Sequence, residues 1–424
     1  MIATLSRNRR RPHRGPGLGL RPILAALGLA LLVSLPMSAE PVEPKESIEP
    51  GPRRIVAVGD IHGALEPFRL ILRQAELIDE KDRWIGGSAT LVQTGDFLDR
   101  GAGAAGAADL LQRLQKEAEA AGGQVIVLLG NHETLNLTMD LRDVTPQIVE
   151  PFARKRSERK QRSHCRLLFD RLSQKRNAEA VPSRSEHNAR CAVEIPVGWL
   201  EYIEALGPDE PLGKWLRSLP VAVEIDGWIF LHGGLSPAYA KLGLDEVNAR
   251  VREDIARFDR LRSGLLYRDL ITVSSGLREI VGVGRALHLV MEERGTPIKR
   301  PPLKDLERAK ELVDWAIFDP EGPLWFRGYA NWTDEEGTPE VEAVLRETGA
   351  RGVIVGHTPQ KSRSIRGRFD GKIWLIDTGM LAEVYRGRPA ALEIVGGRIA
   401  AIYPDGRELL WPSEPSSGAS PQGN

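Results

Sequence analysis

Five short apolar runs in this chain end in polar residues able to bind a metal or move a proton. Asp60 and His62 lie in Gly59-Asp60-Ile61-His62-Gly63. Asp96, Asp99 and Arg100 lie in Gly95-Asp96-Phe97-Leu98-Asp99-Arg100-Gly101. Asn131 and His132 lie in Gly130-Asn131-His132-Glu133. His232 opens His232-Gly233-Gly234-Leu235-Ser236-Pro237, and His357 falls in Gly356-His357-Thr358-Pro359. Four of the chain's eight histidines sit in these clusters. A lone histidine near a core is ordinarily a hydrogen-bonded structural residue. Five coincidences at strand ends, each beside a glycine, need another explanation.

Mixed Asp, Asn and His donors suit Mn, Fe or Zn rather than Ca. The six candidate ligands are Asp60, His62, Asp96, Asn131, His232 and His357. That is too many for one catalytic ion with open positions. They fit two ions about 3.5–4 Å apart, clamping one substrate and one water. The Asp96 carboxylate can bridge both ions. The bridging water would lose a proton near neutral pH and attack phosphorus in line. Arg100 can grip phosphate bidentately, which lysine cannot copy. His132 is then free to protonate the leaving oxygen, with Asp99 holding its tautomer and raising its basicity. Glu133 is expected to supply a supporting hydrogen bond.

The elements that must position these groups are legible in outline. Runs 54–58, 89–93 and 125–129 read as buried strands, with helical apolar spacing over 64–76 and 104–120 between them. The repeat of strand, polar loop and helix is an α/β pattern, in which ligands sit beyond the carboxyl ends of the strands. Runs 221–225 and 227–231 form a hairpin around Asp226-Gly227. Further strands are expected at 351–355 and 372–376, the latter leading into Asp377-Thr378-Gly379, and a last hairpin turns at Gly396-Gly397. Strand signals vanish over 140–215, which reads as a helical insertion. It is dense in bases from Arg154 to Arg190. That run is either a solvated helix face or a basic rim attracting an anionic substrate. Cys165 and Cys191 either pair within it or stay free.

The chain has 424 residues, 42% hydrophobic and 27% charged, with a formal net charge of zero. Residues 1–39 combine six arginines, no acids, and an apolar run from Ile23 to Leu35. That run is shorter than the roughly 20 residues a bilayer span needs, so a secretory signal is expected. An uncleaved amino-terminal membrane anchor is the alternative. Either way the body is exported, to the periplasm or beyond. Taking those six arginines from 58 bases leaves 52 against 58 acids, a net charge of −6. A mildly acidic body argues against a dedicated nucleic-acid binder. Residues 40–52 read as a linker, 53–411 as the catalytic domain, and 412–424 as a Ser/Pro/Gly-rich disordered tail.

Taken together, the four blocks around Asp60, Asp96, Asn131 and His232 resemble the signature set of the phosphoprotein phosphatase family of calcineurin-like metallophosphoesterases. Asp82-Arg83-Trp84-Ile85-Gly86-Gly87 and Gly322-Pro323-Leu324-Trp325-Phe326-Arg327-Gly328-Tyr329 are similar to the Shewanella-like branch. The resemblance implies a sandwich of two mixed β-sheets flanked by α-helices. It also implies Asp60, His62 and Asp96 on one metal, and Asp96, Asn131, His232 and His357 on the other. His132 with Asp99 would be the acid pair and Arg100 the phosphate ligand. Arg327 would be either a second phosphate-gripping arginine or a surface residue, and Arg142 has no clear role. The implied enzyme is a monomeric phosphomonoesterase acting on a phosphorylated protein or peptide, through phosphotyrosine or phosphoserine/threonine, or on a small phosphoester. Hydrolysis of a nucleotide or dinucleoside polyphosphate is the second reading. A protein that binds an anionic polymer through the basic insertion is the third.

Overall fold

The computed structural model describes residues 53–175, 181–293 and 315–412. The expectations for residues 1–39, 40–52 and the tail beyond Pro412 lie outside the described residues. Among those described, no helix is long and apolar enough to cross a membrane.

Two mixed sheets form the centre. The first contains β1 (Arg54–Val58), β2 (Thr90–Gln93), β3 (Gln124–Val127), β9 (Ala391–Val395), β10 (Arg398–Tyr403) and β11 (Gly406–Trp411). Its order is β11-β10-β9-β1-β2-β3. Strands β1, β2 and β3 are parallel, and β9 joins β1 antiparallel. The second sheet contains β4 (Ala222–Ile225), β5 (Trp228–Leu231), β6 (Gly352–Val355), β7 (Arg366–Arg368) and β8 (Ile373–Leu375), in the order β4-β5-β6-β8-β7. Here β5, β6 and β8 are parallel. The β4–β5 turn uses Asp226 and Gly227 at φ 50° and 81°, the left-handed pair a tight two-residue hairpin requires.

The period-two geometry of β1 assigns its side chains to two layers. Ile55 and Ala57 join Phe230, Ile354 and Trp374 of the other sheet in a buried layer between the sheets. Val56 and Val58 face outward into a second cluster. That face is covered by α1 (Leu65–Gln74) and α2 (Ala104–Ala120). In α2 the buried positions Ala104, Ala107, Ala108, Leu111 and Leu114 recur at helical spacing, forming a stripe that seats on the sheet. The site-bearing strand ends are thus braced on both faces by packed apolar side chains.

Between Asn131 and Ser218 the described elements are all helices joined by loops. Helix α3 (Asn131–Leu137) starts directly in the third motif. It is followed by α4 (Pro146–Val149), α5 (Ser157–Lys175), α6 (Arg184–Glu194), α7 (Trp199–Ala205) and α8 (Pro211–Ser218). Cys165 of α5 and Cys191 of α6 form a disulfide with Cα atoms 5.8 Å apart. Around it Ile195, Leu200 and Trp199 build a small separate core. Several of the insertion's bases are taken up by ion pairs: Lys160 with Glu204, Arg162 with Glu158, and Arg171 with Asp269. No hydrogen bond or ion pair among the described residues joins these three to the strand-end cluster.

Candidate active site

Every strand-end group named from the sequence is brought to one place, beyond the carboxyl ends of β1, β2, β3, β5 and β6, with Arg327 at its rim. Asp60, His62, Asp96, Asp99, Asn131, His132, His232 and His357 are all buried, and His232 is 0% exposed. Such concentration of buried charge is costly unless the groups are paired or hold a cation.

The backbone is bent to achieve it. His62, Asp96, Asp99, Arg100 and His357 all adopt the left-handed region, with φ between 46° and 68°. Each such residue costs about 1–3 kcal/mol, and this strain is typical of sites whose geometry is imposed by their surroundings. Glycines permit the close approach. A Cβ on Gly130 would lie 2.1 Å from Asp96 Oδ1, and one on Gly356 would lie 2.4 Å from Asp60 Oδ1.

Glu133 explains how the loops are locked. Its Oε2 accepts from the N–H groups of Asp96 and Gly130, both at 2.8 Å. Its Oε1 accepts from Phe97 and Leu98 at 3.0 and 2.9 Å. One fully buried carboxylate therefore satisfies four backbone donors and staples the loop after β2 to the start of α3. Burial and the neighbouring Asp96 charge push its pKa up to about 7, against the four hydrogen bonds.

Asp96 is the hub. Its Oδ1 accepts from the backbone N–H of His132 at 2.9 Å. Its Oδ2 lies 3.7 Å from His62 Nε2, 3.8 Å from His132 Nε2 and 3.3 Å from His232 Nε2. Two groups of atoms close enough to share an ion result: His62 with Asp96 and His132, and Asp96 with His232 and His357. Asp96 belongs to both. Asp60 Oδ2 stands 3.8 Å from His62 Nε2, on the first side. Asn131 Oδ1 stands 2.8 Å from His232 Nε2, on the second.

The donor set fits metal ions. His232 Nδ1 donates to the Thr94 carbonyl at 3.0 Å, which turns its Nε2 to Asn131 Oδ1 and Asp96 Oδ2. A neutral ring there would set a lone pair against two acceptors, a convergence that a cation reconciles. His357 Nε2 is buried with no hydrogen-bond partner. Burial holds the His62 pKa down to about 3 and the His357 pKa well below the usual histidine range, so both rings present neutral lone pairs. Burial alone would raise Asp96, but the surrounding histidines hold it well below the usual carboxylate range.

His132 is differently connected. Its Nδ1 meets Asp99 Oδ2 at 3.0 Å, and its Nε2 meets Arg100 Nη2 at 3.1 Å. Burial opposes its charged form, yet Asp96 and the bond to Asp99 outweigh this and push its pKa up to about 9. Arg100 leans over the Tyr385 ring, 5.3 Å from its centroid, and the same ring stacks on His62 at 5.5 Å. Arg327 is exposed; its Nη1 donates to the His357 carbonyl and to Thr358 Oγ1 at 3.0 and 2.9 Å. It is close enough to Asp60, Asp377 and Asp96 to feel their charge. Arg142 turns to Asp140 instead and lines a separate cavity beside Trp199.

Two residues of the site were not assigned from the sequence. Asp377, 2% exposed, follows β8 as the other groups follow their strands. Its Oδ1 accepts from Gly379 at 2.9 Å, and burial pushes its pKa up to about 6. The signal was present in Ile376-Asp377-Thr378-Gly379. Tyr385 lies on a short helix, Ala382–Tyr385, with no motif to mark it.

Residues 53–361 match the model of the calcineurin-like phosphoesterases, and the chain belongs to that family. The family's fold implies a dimetal centre, and the two ligand groups sharing Asp96 are placed to form one. Among relatives, the chain is 37% identical over 204 residues to Shewanella-like protein phosphatase 2 of Arabidopsis thaliana, covering 47% of this chain and 51% of that protein. The match thus spans about half of the Arabidopsis protein. It is 27% identical to Shewanella-like protein phosphatase 1 of Plasmodium berghei, over 79% of this chain and 69% of the relative. A solved cold-active protein-tyrosine phosphatase of a psychrophilic Shewanella superposes with a TM-score of 0.54 at 24% identity, covering 85% of this chain and 81% of that one. That likeness bears on the fold, a sandwich of two mixed sheets with flanking helices.

Proposed function

We propose that this protein is a dimetal-dependent phosphomonoester hydrolase that dephosphorylates proteins or peptides. The observation carrying this is the place of Asp96 between two buried sets of donors, Asp60 and His62 on one side and Asn131, His232 and His357 on the other, with Arg100 and the His132–Asp99 pair beside it. Asp60, His62 and Asp96 would hold one ion, and Asp96, Asn131, His232 and His357 the other. The donor types suit Mn, Fe or Zn. When bound, such a pair polarises the phosphoryl group and supplies a nucleophile from water near neutral pH.

The chain's own residues do the rest. Arg100, and Arg327 at the rim, bind the phosphate oxygens. Arg100 Nη2 donates to His132 Nε2 here; a phosphate that draws the guanidinium away frees Nε2 to carry the proton that Asp96 and Asp99 favour. His132 then delivers it to the leaving oxygen, while the Asp99 bond fixes the ring. The names of the relatives support a protein substrate over a small one. Export is part of the same reading: the arginine-rich, apolar start of the chain supports it, and so does the disulfide, a bond typical of oxidising compartments.

The test is turnover of phosphotyrosine and phosphoserine peptides against a dinucleoside tetraphosphate, with Mn, Fe and Zn each restored to stripped enzyme. Metal-dependent phosphopeptide hydrolysis is expected. Fast cleavage of the dinucleotide with none of the phosphopeptides would overturn the protein-phosphatase reading in favour of nucleotide hydrolysis.

A further inference from the structure

Tyr202 is a large polar residue that the mechanism above does not use. It sits on α7, inside the helical insertion, and is 1% exposed. Its ring meets Phe152 edge-on, with centroids 5.0 Å apart. Its hydroxyl donates to Asn136 Oδ1 at 2.7 Å. Asn136, on the last turn of α3, is itself 0% exposed. Because its oxygen is engaged by the phenol, its amide N–H groups must point the other way. One of them donates to the His132 carbonyl at 2.8 Å. Burial pushes the Asp99 pKa up, and the bond to His132 and the nearby Asn136 amide oppose that shift. The chain of hydrogen bonds therefore runs from Tyr202 through Asn136 to the backbone of His132, whose ring in turn meets Asp99.

We propose that Tyr202 is a positioning residue for the general acid: by orienting the Asn136 amide it holds His132 and Asp99 in register, so the helical insertion contributes to proton delivery. This rests on the reading of His132 as the acid. Helix α7 is well placed for such a role. Its Leu200 and Trp199 pack on the cluster around the Cys165–Cys191 disulfide, so Tyr202 is mounted on a clamped support. A purely structural Tyr202 would fill the space between α7 and α3 and touch the chemistry only through stability.

The two roles separate by leaving group. A poor leaving group needs the acid, whereas a good one departs largely without it. In Tyr202→Phe the ring remains and only the hydroxyl is lost. On metal-replete enzyme we expect kcat for phenyl phosphate to fall about tenfold, a part of what a general acid contributes. KM should stay within about twofold, and p-nitrophenyl phosphate turnover likewise, while metal analysis still finds two ions per chain. In a His132→Ala background, Tyr202→Phe should add no further loss, because the two act through one group. Asn136→Ala cuts the same chain from the other side and should show the same leaving-group selectivity; it serves should Tyr202→Phe fold poorly. Equal losses on both substrates, no loss on either, or additive losses in the double variant would overturn the proposal. Wild-type enzyme inactive on both phosphomonoesters would instead overturn the phosphatase reading beneath it.

Discussion

Asp96 Oδ2 and His132 Nε2 lie 3.8 Å apart, yet their loss should be felt in different ways. Asp96 is the atom group common to both ligand sets, so Asp96→Asn should release both metals together. Elemental analysis of the purified variant checks this, and two retained ions per chain would refute the bridging role. His132 is tied to Asp99 and Arg100 instead. His132→Ala should keep both ions and lose about 100- to 10,000-fold in turnover. Wild-type activity in that variant would refute the acid role. Glu133 shows a third kind of residue: it need touch no substrate, yet it fixes the backbone of Asp96, Phe97, Leu98 and Gly130 at once. From the sequence it could be given only one supporting hydrogen bond. Four donors spread over two loops were invisible because the loops meet only after folding.

The insertion is the element whose meaning changed most. As a string of bases it read as either a solvated helix face or a basic rim attracting an anionic substrate. In the structure several of those bases pair with acids nearby, and the informative residues are the apolar ones and Tyr202. The disulfide closes a sequence separation of 26 residues. A loop of that size gains about 3 kcal/mol from closure, in the chain-entropy model. Reduction should therefore raise hydrogen exchange across α5, α6 and α7 while the strands of both sheets keep their protection. Uniform loss of protection throughout the chain would show that the insertion and sheets unfold as one unit. Two elements escaped sequence reading for a physical reason. Strand β7 is Arg366-Gly367-Arg368, and β11 carries Arg407 and Glu408. Both lie at sheet edges, where charged residues guard exposed hydrogen-bonding groups and erase the apolar alternation by which strands are recognised.

At the scale of the molecule, two sheets deliver their strand ends to one site, so the layer between them is part of the active-site support. Phe230, 0% exposed in that layer, lies two residues before His232. Phe230→Ala should cost about 3–5 kcal/mol of stability, read as a lower denaturant midpoint. It should also weaken metal binding, because His232 loses the packing that aims it. An unchanged midpoint would mean that the layer can close over the lost ring. What the amino-acid order determined by itself was the chemistry: strand runs, glycine-flanked polar ends, and a set of donors suited to two transition-metal ions. Those properties are local, carried by residue type and spacing within about ten positions. Only the tertiary structure decided that Asp377 joins the cluster, that Cys165 and Cys191 pair, and that Tyr202 reaches Asn136. Each of these joins residues on different loops or helices, and no local pattern encodes such distances. They are set by how the two sheets and the helices pack.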